Sequence, residues 1–106
     1  MVRRVGIVGR PRDYLLARGT WPAGPFRANT PIAIRYAAAI AANLTAALAD
    51  SDVSRSAVCR AADIHRQTLY DILTGEGISD IRVIANLEQA LNVRLWPNNP
   101  TDVTTG

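Results

Sequence analysis

Apolar residues recur along the middle of this chain with helical spacing. Tyr36, Ile40, Leu44 and Leu48 stand four apart, flanked by Ala33, Ala37, Ala41 and Ala47. That spacing lays one apolar stripe along a helix. Thr30-Pro31 supplies a hydroxyl N-cap and a proline at the first helical position, so the helix runs from 31 to about 50. Three shorter helices follow, expected at 55–62, 66–74 and 80–91. Each starts with a polar cap between two apolar residues at the spacing of a hydrophobic staple. Ser54 stands between Val53 and Val58, His65 between Ile64 and Leu69, and Ser79 between Ile78 and Val83. Gly75 and Asn92 follow the third and fourth helices as left-handed C-caps. Pro97 and Pro100 then end ordered structure, leaving 97–106 as a flexible tail.

Residues 1–29 are punctuated by Gly6, Gly9, Pro11, Gly19, Pro22, Gly24 and Pro25, which leaves no room for a long element. A short strand over Val5–Val8 and one or two helical turns over Pro11–Arg18 are the most that the pattern allows. With 106 residues, few aromatics and many alanines, the chain is expected to be a single all-α domain. Its parts are an irregular N-terminal arm (1–29), a bundle of about four helices (30–96) and the tail.

Charge adds a second asymmetry. All twelve basic residues are arginine, and the net charge is +3. Arg3, Arg4, Arg10, Arg12, Arg18 and Arg27 face only Asp13 in the first thirty residues, whereas the rest of the chain is slightly acidic. A basic arm suits a polyanion such as nucleic acid, or serves simply to solubilise. Cys59 is the single cysteine and His65 the single histidine, so neither a disulfide nor a metal cluster is expected. The stretch from Ile32 to Ala49 is apolar, but its many alanines and its Arg35 and Asn43 favour a soluble helix over a membrane span. No signal-peptide core is legible before Gly9, and a reducing cytoplasm is the expected location. Nothing resembles a nucleophile–base pair or a phosphate loop, so no enzyme and no cofactor are expected.

The second and third helices lie three residues apart, as in a helix-turn-helix. Val58 and Ala62 face inward on the first, Ile64 sits in the turn, and Leu69, Ile72 and Leu73 face inward on the second. The opposite face then carries Arg66, Gln67, Tyr70, Asp71 and Thr74. Arginine can grip guanine and glutamine adenine with two hydrogen bonds each; a tyrosine can pack on thymine, and an aspartate can accept from cytosine.

The segment from Ile40 to Trp96 resembles the Cro/repressor type of helix-turn-helix, also called the xenobiotic-response-element type. The likeness rests on Asn43-Leu44 through Leu48, Val53-Ser54-Arg55-Ser56-Ala57-Val58-Cys59, Ile64 through Leu73, Gly75, and Ile84 through Val93. It departs from that type at Cys59, where alanine is usual, and at Asp63, where glycine is usual. The resemblance implies that Arg66, Gln67, Tyr70 and Asp71 read bases. It implies that Arg55 meets phosphate, with Ser54, His65 and Thr74 as further phosphate neighbours. Arg3, Arg4, Arg10 and Arg12 of the arm would reach a minor groove or flanking phosphates. The expected function is a sequence-specific regulator, a repressor of phage or mobile-element type. Its partner would be operator DNA, bound as a homodimer. The alternatives are the DNA-binding antitoxin of a toxin–antitoxin pair and a helix-turn-helix fold used to bind protein.

Overall fold

The computed structural model describes residues 9–98. The strand expected over Val5–Val8, Arg3, Arg4 and the last eight residues lie outside that range. A 3₁₀ turn over Pro11–Tyr14 leads into a hairpin of β1 (Leu15–Thr20) and β2 (Gly24–Phe26). Four helices follow: α1 (Ile32–Asp50), α2 (Arg55–Ala62), α3 (Arg66–Thr74) and α4 (Ile81–Leu91). The chain is therefore mixed α and β, which corrects the expectation of an all-α bundle with an irregular arm. β1 and β2 pair antiparallel, with Leu15 opposite Phe26 and Thr20 opposite Gly24. The spacing of glycine and proline hid this hairpin, because β2 is only three residues long and Pro25 sits inside it. The first half of Pro11–Arg18 does form a turn of helix, but the second half is strand.

The starts and ends of the helices follow local chemistry. Ser54 Oγ accepts from the Ala57 amide at 3.1 Å, capping α2 as the sequence indicates. His65 occupies the N-cap position of α3 without a side-chain capping hydrogen bond. At α4 the cap is Asp80 rather than Ser79: its Oδ1 accepts from the Val83 amide at 2.9 Å. At α1, Pro31 is the N-cap residue, and the Thr30 hydroxyl instead donates to the Arg27 carbonyl at 2.6 Å. Gly75 and Asn92 both end their helices in the left-handed conformation. Asp63 ends α2 in the same conformation, with φ of 55°.

One core joins the four helices. Ile40, Ala41 and Leu44 of α1 pack with Val58, Cys59 and Ala62 of α2, Leu69 and Ile72 of α3, Val83, Ile84 and Leu87 of α4, and Leu95. α1 is long and apolar enough by composition to cross a membrane. Its Ile40, Ala41 and Leu44 lie in this core. Side chains tie the elements at their ends: Asn86 Nδ2 donates to the Ala62 carbonyl at 3.1 Å, and Asn43 Nδ2 to the Leu95 carbonyl at 2.9 Å. Glu88 receives the Leu95 and Trp96 amides at 2.8 and 2.9 Å, fastening the chain after α4. Trp96 itself stays half exposed and stacks on Tyr36, with ring centroids 5.7 Å apart.

The N-terminal strap packs on α3. Trp21, in the hairpin turn, packs against the core and donates from Nε1 to the Ile72 carbonyl at 3.3 Å. The Arg12 amide donates to the Gly75 carbonyl at 3.0 Å. Gly75 has no space for a side chain, since a Cβ there would lie 2.6 Å from Trp21 Cδ2.

Candidate nucleic-acid interface

The inward side of α3 is fixed by Leu69 and Ile72, both buried, so its orientation about its own axis is set by packing. What remains outside is determined by the 3.6-residue period. Arg66 and Gln67 are exposed, and Tyr70 is 55% exposed. Asp71 and Thr74 are partly covered. The five outward residues expected from the sequence therefore do share the outer side of α3.

Two internal bonds organise that side. Gln67 Nε2 donates to Asp71 Oδ1 at 2.8 Å, one helical turn away. This fixes which way the amide points and leaves Gln67 Oε1 and the second amide hydrogen for another partner. The Thr74 hydroxyl donates to the Tyr70 carbonyl at 2.8 Å, so it is held along the helix axis.

α2 stands beside this face. Arg55 is exposed at its first position, directly after the capping Ser54. Together with Cys59, Arg66, Gln67, Leu69 and Tyr70, Arg55 lines an open cleft of about 300 Å³ between the two helices. A second hollow of about 970 Å³ runs over Ser56, Cys59, Arg60, Asp63, Ile64, His65, Arg66 and Gln67. Four cationic or imidazole groups, Arg55, Arg60, His65 and Arg66, thus border the two hollows against the single carboxylate Asp63. The N-terminus of α3, with its amides pointing outward, adds to the positive field there. Cys59 is buried at the floor of both hollows and serves as a small core residue.

Arg10 and Arg12 are not on a free arm. Arg10 donates from Nε and Nη2 to Asp13 and from Nη1 to Glu76, the last at 3.1 Å to Oε2. Arg12 Nη1 reaches Glu76 Oε2 at 3.3 Å. The Asp13 carboxyl is held below its usual range, chiefly by the Arg10 side chain and then by the Arg10 amide. The same contacts, with Asp13 first and Glu76 second, raise the Arg10 guanidinium. The sequence offered a hint of the Arg10–Asp13 pair in its three-residue spacing. It offered none of Glu76, which lies 66 residues from Arg10 and meets it only because the strap folds back. Trp21, packed on the core and bonded to the Ile72 carbonyl, is the anchor of that strap.

Among the described residues no group of three or more histidine, cysteine or acidic side chains could hold a metal ion. No protein-family model matches the chain, and no curated protein or solved structure matches it. The functional reading therefore rests on the chemistry of the α2–α3 face.

Proposed function

We propose that the protein is a sequence-specific DNA-binding regulator, a cytoplasmic repressor that reads operator DNA through α3. The observation that carries this reading is the exposed Arg66–Gln67–Tyr70 face on a helix whose opposite side is locked in the core. Beside it stand Ser54 and Arg55 at the start of α2. Support also comes from the three-residue spacing of the two helices and from the resemblance to the Cro/repressor type.

Each residue then has a definite task. Arg66 grips guanine O6 and N7 through its fork. Gln67, oriented by Asp71, offers Oε1 to adenine N6 and its remaining amide hydrogen to N7. Asp71 acts first as the residue that positions Gln67, and its second oxygen is free to accept from cytosine N4. Tyr70 packs at the groove edge on a thymine methyl. Arg55 and the amides at the start of α2 meet the phosphates of one strand, and His65 and Thr74 border the same backbone. One helix reads only a few base pairs, so two copies set about 34 Å apart on a near-palindromic site are expected.

The test is a pair of substitutions. Each two-bond contact is worth about 1–3 kcal/mol of base discrimination. Arg66→Ala with Gln67→Ala should therefore weaken binding to the preferred duplex by about 30-fold or more. Binding to unrelated DNA should change far less. Equal affinity of the double variant and the native protein for the preferred duplex would refute the reading and favour a protein-binding role for the fold.

A further inference from the structure

We infer that Arg12 is a backbone-phosphate contact on the flank of α3 opposite α2, so that the recognition helix lies between two basic walls. This rests on the DNA-binding reading and extends it to a part of the chain outside the helix-turn-helix.

The flanks are identified by what touches each turn of α3. Going round the helix at about 100° per residue, Arg66 and Tyr70 lie on one side of the outward line through Gln67 and Asp71. Ile72 and Gly75 lie on the other. The α2 side chains Arg55 and Cys59 share the cleft with Arg66 and Tyr70, which places α2 on the first side. The strap bonds to the Ile72 carbonyl through Trp21 and to the Gly75 carbonyl through the Arg12 amide, which places it on the second. A helix in the major groove, about 12 Å wide, has a phosphate backbone on each side. When α2 meets one, the strap faces the other.

Arg12 is a side chain on that flank with donors to spare. Arg10 commits all three guanidinium nitrogens, Nε and Nη2 to Asp13 and Nη1 to Glu76. Arg12 commits only Nη1, to Glu76 at 3.3 Å, and is 45% exposed. Its Nε and Nη2 have no protein partner among the described residues, and its backbone is pinned to the C-cap of α3. Glu76, itself gripped by Arg10, holds one corner of the Arg12 fork, and the rest of this half-exposed side chain is left to another partner. That is an arrangement suited to a phosphate, which a fork meets with two parallel bonds.

Anisotropy titrations of a labelled duplex over a range of salt test this. The proteins compared are the native chain, Arg12→Gln, Arg12→Lys and Arg94→Gln. Arg94 follows α4 near Glu88 and serves as a control for the loss of one charge. One phosphate contact contributes about 0.9 to the slope of log affinity against log salt. Arg12→Gln removes one such contact from each of the two bound copies, so it should flatten the slope by about 1.8 and weaken preferred and unrelated duplexes by the same factor, leaving base preference intact. Arg12→Lys should retain the slope, and Arg94→Gln should not change it. A native slope in Arg12→Gln, or an equal flattening in Arg94→Gln, would overturn the inference while leaving the reading of α3 standing. Failure of the native protein to prefer any sequence would instead overturn that reading.

Discussion

Alanine at Gly75 probes the seat of the strap on α3. Two costs follow from the geometry. Gly75 has φ of 76°, and an L-residue in the left-handed region pays about 1–2 kcal/mol. Its new Cβ would also stand 2.6 Å from Trp21 Cδ2 and 2.9 Å from Trp21 Cγ. Those are ring atoms rather than the tip of a flexible chain, so the indole must move. Moving it breaks the 3.3 Å bond from Nε1 to the Ile72 carbonyl, a loss of about 0.5–1.5 kcal/mol. Against this, alanine narrows the unfolded ensemble and returns about 0.4–1 kcal/mol. The net expectation is a loss of about 0.5–3 kcal/mol, a sizeable fraction of the stability of a small domain. Urea unfolding followed by circular dichroism and by tryptophan fluorescence would measure it. Asparagine at the same position separates the two costs, since it tolerates the left-handed region but carries the same Cβ. If the contact with Trp21 dominates, Gly75→Asn should lose nearly as much as Gly75→Ala. A Gly75→Ala protein within about 0.5 kcal/mol of native, the range of an ordinary surface substitution, would refute the close seating of Trp21 on the end of α3.

Asp63, at φ of 55°, makes no side-chain hydrogen bond among the described residues that would repay its left-handed conformation, so Asp63→Gly should stabilise the protein by about 0.5–1 kcal/mol in the same urea assay. Destabilisation by that substitution would show that the carboxylate has a structural task. The Glu88 carboxyl is lowered from 4.5 by the Trp96 amide first and the Leu95 amide second. Its contribution is thus present above the ordinary carboxylate range and lost as pH falls through the lowered value. Glu88→Gln should cost about 1 kcal/mol at neutral pH, a figure reduced for solvent exposure. The gap from native should close on acidification below about 4.5, read from urea midpoints at neutral and acidic pH; parallel pH profiles would contradict it.

The α2–α3 pair was the most legible part of the chain, because its determinants are local. α2 and α3 occupy the residues that the caps and the apolar spacing indicated, and Leu69 and Ile72 are buried as the period requires. The start of α4 was one residue out, where Asp80 and Ser79 both offer a capping oxygen and only the fold chooses. The hairpin was not legible. β1 is mostly exposed, so it shows no clean alternation, and β2 holds a glycine, a proline and a phenylalanine. What makes it a strap is Trp21 seating on α3, a contact 51 residues away in sequence. Likewise Arg10 and Arg12 looked like free positive charge until Glu76 was placed beside them. Arg66, Gln67, Tyr70 and Asp71 could be grouped from the helical period alone, but the bond between Gln67 and Asp71 required side-chain positions. These are differences between local rules, which the sequence carries openly, and distant contacts, which it does not.

Selection from a pool of random duplexes asks whether α3 reads a sequence at all. The purified native protein and the Arg66→Ala, Gln67→Ala double variant would be carried through the same rounds at physiological salt. The native protein should enrich a short motif, repeated with near-twofold symmetry at about one helical turn, and the variant should enrich none. A native pool that stays random, with weak binding that vanishes on adding salt, would contradict the reading of α3.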